Sequence, residues 1–217
     1  MTTSYSRTRE QLASMVLRKL RVVGEGMPAS GDDLAIVLEG IDLRLKELQG
    51  LITYWWKISP AQTDVALTAG TQTATAPADM FAPVTLQLRI NSDDYPIEIV
   101  DHGTFQQIQT KTERGQPCRA NYQAGTFRLW PVPDSNYTAK LTYEAIVNDT
   151  EPHAQPDIQI GAINALAEMV MGDLADDFSQ PEQRTQRLKV AAIAAERRFR
   201  SIVAQRNDTV TTQAEYL

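Results

Sequence analysis

The sequence predicts an α+β protein: a four-helix bundle formed by N- and C-terminal helix pairs, with an inserted antiparallel β-sheet region and an extended C-terminal tail. Three observations lead there. Apolar residues recur at helical spacing near both ends of the chain. Across the middle the period falls to two and the residues turn β-branched and aromatic. The last residues, NDTVTTQAEYL, show neither period. The expected divisions are 1–52 and 151–206 for the helical pairs, 53–150 for the β-rich insert, and 207–217 for the tail.

The first helix starts near Thr8, where Thr8-Arg9-Glu10-Gln11 fits a capping box. Leu12, Met15, Val16, Leu20 and Val23 follow at helical spacing, and Gly24, Gly26 and Pro28 end it. The second begins at Ser30, with Asp32 and Asp33 at the positive end of the helix dipole. Its apolar residues Leu34, Leu38, Ile41, Leu45, Leu48 and Ile52 repeat as a heptad-like seam. That seam reads as the core stripe of a helical hairpin or, more sharply, as a contact with a neighbouring copy.

From Ile52 the pattern becomes strand-like. DVALTAGTQTATAPADM reads as a strand, a turn at Gly70, a second short strand and a stop at Pro77. Val84, Leu86, Leu88 and Ile90 alternate, as do Tyr95, Ile97 and Ile99 after the NSDD turn. A short helix is expected at about 103–112 from the Thr104-x-x-Gln107 pattern. Residues 125–146, GTFRLWPVPDSNYTAKLTYEAI, read as a β-hairpin that bends at Asp134-Ser135-Asn136. Trp130, Pro131 and Pro133, if exposed on it, would suit a contact surface; alternatively Trp130 simply covers the sheet. Helical spacing returns with Ile158, Ile163, Leu166, Val170, Leu174 and Phe178, for which Asp157 is the expected cap. Pro181 opens the last helix. Its apolar side carries Leu188, Ala191, Ala192, Ala195, Phe199, Ile202 and Val203, and its other side Arg184, Arg187, Lys189, Arg197, Arg198 and Arg200.

Composition narrows the function. No apolar run reaches the roughly 20 residues of a membrane span, and the N-terminus lacks the apolar stretch of a signal peptide. A soluble protein with no membrane partner is expected. The single cysteine, Cys118, excludes an internal disulfide and a cysteine-cluster zinc site. It reads as a packing residue. The net charge of −6 is uneven: residues 1–21 are net +4 and residues 181–206 net +5, which leaves −15 for the rest. An acidic surface repels nucleic acid.

No catalytic or cofactor signature emerges. His102 and His153 lie in loop contexts with no nucleophile motif near them, and no glycine-rich phosphate loop is present. The acids Asp32-Asp33 and Asp93-Asp94 suit a cap and a turn. Asp173, Asp176 and Asp177 oppose a helix dipole, and read as a tolerated surface cluster or as partners in salt bridges between subunits. No catalytic, metal or cofactor residue is assigned, and no enzyme is expected. The basic face of the last helix is the feature left over. It could meet phosphates, as in a nucleic-acid-binding regulator, or the acidic surface of a partner.

Four stretches in order resemble a known family. They are LASMVLRKLRVVGEGMPASGDDLAIVLEGIDLRLKEL, VALTAGTQTATAPADM, GTFRLWPVPDSNYTAKLTYEA and INALAEMVMGDLADDFSQPEQ. The layout over about residues 8–205 is similar to the head-to-tail adaptors of tailed bacteriophages, which include the packaged-DNA stabilisation and gatekeeper tubular proteins. The resemblance implies a structural virion protein of the neck, made in the host cytoplasm. It would form a ring, usually of twelve copies, below the portal protein, meet a downstream tail or nozzle protein, and enclose the channel through which double-stranded DNA passes without specific binding. It implies portal docking by the tail through Val210, Tyr216 and Leu217. Arg184, Arg187, Arg197, Arg198, Arg200, Asp173 and Asp176 would face a neighbouring subunit or partner, and Trp130, Pro131 and Pro133 a tail component.

Overall fold

A computed structural model describes residues 7–24, 26–59, 61–148 and 152–204. The chain divides into two compact units, Met1–Trp55 with Val147–Leu217, and Trp56–Ile146. The first is helical and the second is built on a sheet.

In the helical unit, α1 (Arg9–Leu20) begins as its sequence dictates. The Thr8 hydroxyl accepts from the Gln11 backbone N–H, and the Gln11 side chain accepts from the Thr8 N–H. The Arg9 and Glu10 N–H groups donate to the Ala154 and Pro152 carbonyls, so the free donors of the first turn are also satisfied. Arg21 ends the helix in the left-handed conformation, at φ 62°. Ser30 caps α2 (Gly31–Gln49) by accepting from the Asp33 N–H. Asp157 does not cap the third long helix, contrary to expectation. A 3-10 turn at Ile160–Ala162 leads into α4 (Ile163–Asp173) with no side-chain cap. α5 (Glu182–Ala204) starts after Pro181, whose carbonyl accepts from the Thr185 N–H.

The helices do not form the expected four-helix bundle. α4 is buried over most of its surface: Ile163, Ala165, Leu166, Ala167, Met169, Val170, Met171 and Gly172 are buried, while Asn164 and Asp173 are exposed and Glu168 partly so. A helix so largely covered belongs near a centre. α4 is accordingly the hub, and α1, α2 and α5 each pack on it. Gly172 makes the α4–α5 approach possible, since a Cβ there would come within 2.4 Å of the Ala192 Cβ. Tyr54 is fully buried in the same unit, donates to the Leu45 carbonyl at 2.9 Å, and meets Phe199 edge-on.

The second unit overturns the expected fold class further, because the protein is sheet-rich. The strands are β1 (Thr63–Leu67), β2 (Thr73–Thr75), β3 (Met80–Ile90), β4 (Asp93–Ile99), β5 (Arg114–Gly115), β6 (Arg119–Gln123), β7 (Thr126–Trp130), β8 (Val132–Pro133) and β9 (Tyr137–Ala145). Seven of them form one sheet in the order β1-β9-β3-β4-β6-β7-β2. Its two ends, β1 and β2, lie against each other, so the sheet is nearly closed, like a barrel. Leu86 stands opposite both Ile97 and Leu141, and Leu88 opposite Ala139. These residues fill the interior with Val65, Leu67, Phe127 and Leu129. A one-residue slip of any strand would turn this set outward, which locks the register. The outer face carries cross-strand ion pairs instead: Lys140 with Asp64, Arg89 with Asp94 at 2.5 Å, and Arg119 with Glu98 at 3.1 Å.

Two sheet expectations fail. The sheet is not wholly antiparallel, because β4 and β6 run parallel. The chain returns between them through α3 (His102–Gln106), which is shorter than expected and capped by Asp101 rather than Thr104. Residues 125–146 are not a hairpin either. β7 pairs with β6 and β2, whereas β9 pairs with β1 and β3. The true hairpin is β6–β7, turned by Ala124 and Gly125 at φ 48° and 77°. Two consecutive positive φ values match the twist of flanking strands. Asp134-Ser135-Asn136 instead belongs to a crossing segment, held where the Ala69 N–H donates to Asn136 Oδ1 and the Gly70 N–H to the Pro133 carbonyl.

Candidate interaction surfaces

The groups singled out for chemistry are dispersed. Asp101 accepts from both the N–H and the hydroxyl of Thr104, which holds its carboxyl below the usual range. It is a cap, not a partner for His102, whose ring faces Gln106. His153 is exposed beside Glu10, at 3.1 Å. Cys118 is exposed, a correction to its reading as a packing residue. No cluster of three His, Cys, Asp or Glu residues able to hold a metal ion occurs among the described residues. No described helix is long and apolar enough to cross a membrane.

Most of the charged residues expected at a subunit interface are paired within the chain. Lys189 donates to Asp176 at 2.7 Å, and this contact raises the lysine pKa. Arg198 pairs with Glu168, and Arg200 with Glu196 at 2.6 Å. Arg184 donates to the Lys19 carbonyl near the end of α1. Arg187 and Arg197 are exposed and have no ion-pair partner among the described residues.

The centre that sequence reasoning missed is Arg44. Its side chain, 15% exposed, lies 2.9 Å from Glu196, 2.7 Å from Glu47 and 3.7 Å from Asp173. It thereby joins α2, α4 and α5. Burial works against its charge, but Asp173, Glu47 and Glu196 together outweigh that, so its pKa is raised. Asp173 is also raised: burial disfavours its charge and Glu47 and Glu196 repel it, while Arg44 only partly compensates. Both directions follow from one geometry, since three carboxylates surround Arg44. The interface option for Asp173 was read from its conflict with the α4 dipole, which Arg44 partly offsets inside the chain.

On the sheet unit, Trp130 is half-buried and its Nε1 donates to the Thr110 carbonyl at 2.9 Å. Pro131 is half-buried and Pro133 buried, so the three do not form the exposed set expected of them. Val132–Pro133 pairs as β8 with β5, which explains the burial. Val210, Tyr216 and Leu217 lie outside the described residues.

Sequence reasoning also passed over exposed apolar side chains on the helical unit. Ile36 and Leu43 of α2 are 42% and 61% exposed, and Val190 and Ile193 of α5 are 67% and 57%. Their spacing was legible, but the inward stripe of each helix carries the stronger periodic signal.

The chain thus offers surfaces and an internal ion-pair network. No curated protein matches it. A family model described as SU10 adaptor protein matches residues 16–215, which is most of the chain, and the chain therefore belongs to that family of phage adaptor proteins.

Proposed function

We propose that this protein is the head-to-tail adaptor of a virion neck, a ring of copies attached below the portal that bridges capsid to tail and encloses the DNA exit channel. Membership of the adaptor family is the observation that carries the reading. The protein acts structurally, through its surfaces. Arg187 and Arg197 serve as contacts to acidic groups, because Arg184, Arg198, Arg200, Asp173 and Asp176 already have partners within the chain. Trp130 and Pro131 supply the partly exposed contact to a tail component. The tail docks on the portal through Val210, Tyr216 and Leu217. Outside its two basic segments the chain is net −15, which suits a channel where DNA must slide without sticking.

The test is co-sedimentation with the portal protein of the same genome, followed by electron microscopy. A ring of density below the portal is expected, and deletion of residues 207–217 should abolish binding while leaving the circular-dichroism spectrum of the chain intact. Full binding by the truncated chain would remove the tail from the interface. A portal that never recruits the intact chain would refute the adaptor reading.

A further inference from the structure

The outward faces of α2 and α5 each carry an exposed stripe of apolar residues, with charges of opposite sign. On α2, Asp32, Ile36, Glu39 and Leu43 follow one another at intervals of four, three and four residues, and all four are exposed. At 100° per residue this line lies opposite the buried Val37, Ile41, Leu45 and Leu48. On α5, Arg187, Val190, Ala194 and Arg197 follow at intervals of three, four and three, and all four are exposed. They lie opposite the buried Ala192, Ala195, Phe199 and Val203. One stripe is apolar with two carboxylates, the other apolar with two guanidinium groups. None of these four charges has an ion-pair partner among the described residues, whereas Lys189, Arg198 and Arg200 beside them all do.

Such four-three spacing is the geometry by which one helix seats its side chains against another. Charges left unpaired beside exposed apolar side chains mark a surface that is completed elsewhere. The two stripes cannot complete each other within one chain, since both are exposed there. They fit each other between chains.

We propose that the α2 stripe of one copy docks antiparallel on the α5 stripe of the next, with Asp32 meeting Arg197 and Glu39 meeting Arg187 around Ile36, Leu43, Val190 and Ala194. The proposal rests on the adaptor reading, whose ring it supplies with an interface. Because the two patches differ, the contact is head-to-tail, and it repeats around a ring when the rotation closes. Asp32 and Glu39 lie about 10 Å apart along α2, and Arg187 and Arg197 about 15 Å apart along α5. The long arginine side chains span that difference.

The test uses full-length chains in a Cys118→Ser background, alone and bound to the portal. Chains carrying Leu43→Cys are mixed with chains carrying Val190→Cys and treated with a short bis-maleimide. The mixture should give a covalent dimer, and neither variant alone should. Asp32→Arg with Glu39→Arg should abolish that dimer, as should Arg187→Glu with Arg197→Glu. Placing all four reversals on both cysteine chains should restore it, which also shows that the reversed stripes fold. If the portal recruits a ring but the mixture gives no dimer, or if either reversal leaves the dimer intact, the interface is refuted and the adaptor reading stands. If the unmodified chain neither self-associates nor binds the portal, both fall.

Discussion

Replacing Arg44 by Met keeps most of the buried stem and removes the charge. The side chain is 15% exposed, so the loss is felt in a partly dry environment. Cutting one partner out of a fully buried ion pair costs about 3–5 kcal/mol. Here the partners soften that figure. Glu47 is 59% exposed and three residues away on the same helix, a contact worth about 0.5 kcal/mol. Glu196 keeps Arg200, and Asp173, at 47% exposed, regains water. What remains is one charge-assisted hydrogen bond to Glu196 and the mutual repulsion of three carboxylates, together about 2 kcal/mol. For a chain of this size that is a fall of about 4–8 °C in Tm. Urea denaturation read by circular dichroism measures it. The repulsion also fixes a pH signature. Without Arg44 the already raised pKa of Asp173 rises further, so the deficit relative to wild type should be full at pH 7. It should shrink as pH falls toward about 4, where the carboxylates become neutral. A deficit below about 0.5 kcal/mol, or one independent of pH, would refute the shared-cation account.

Three further outcomes follow from the same structure. Asp173→Asn should stabilise the protein at pH 7, on the order of 0.5 kcal/mol given the half-exposed side chain. The folded carboxyl holds its proton to higher pH than the unfolded one. Its ionisation therefore subtracts stability as pH rises through the raised pKa, and the advantage of Asn should vanish below about pH 3.9; destabilisation at pH 7 would show that the Arg44 contact dominates. Gly172→Ala should cost about 1–3 kcal/mol, because the new methyl meets Ala192 at 2.4 Å and the packing loss exceeds the roughly 1 kcal/mol gain in helix propensity. Adding Ala192→Gly should recover part of that loss, and a raised Tm for Gly172→Ala alone would contradict the close α4–α5 approach.

Much of the local structure was legible because it depends on neighbours in sequence. Thr8 and Ser30 cap helices through bonds that span three residues. Leu86 and Leu88 face the barrel interior because a strand alternates. The order of four family-like stretches pointed to an adaptor from the sequence alone. Other features turn on partners far along the chain. Whether Thr126–Trp130 pairs with Tyr137–Ala145 depends on which strands compete for each edge. The two-residue Ala124-Gly125 turn wins β7 for β6, while β9 finds β1 and β3. The closure of seven strands sums these choices, and no single stretch encodes it. α4 misled for a related reason: its apolar stripe was read as one face, although its small residues Ala165, Ala167 and Gly172 mark approach from other sides. Likewise Arg44 looks like any helix-surface arginine until α4 and α5 bring Asp173 and Glu196 to it across more than a hundred residues. The sequence by itself determined where α1 and α2 begin, that Leu86, Leu88, Ile97, Phe127 and Leu129 face inward, and which family this is. The tertiary structure alone decided which charges are already spoken for, because pairing depends on distance in space.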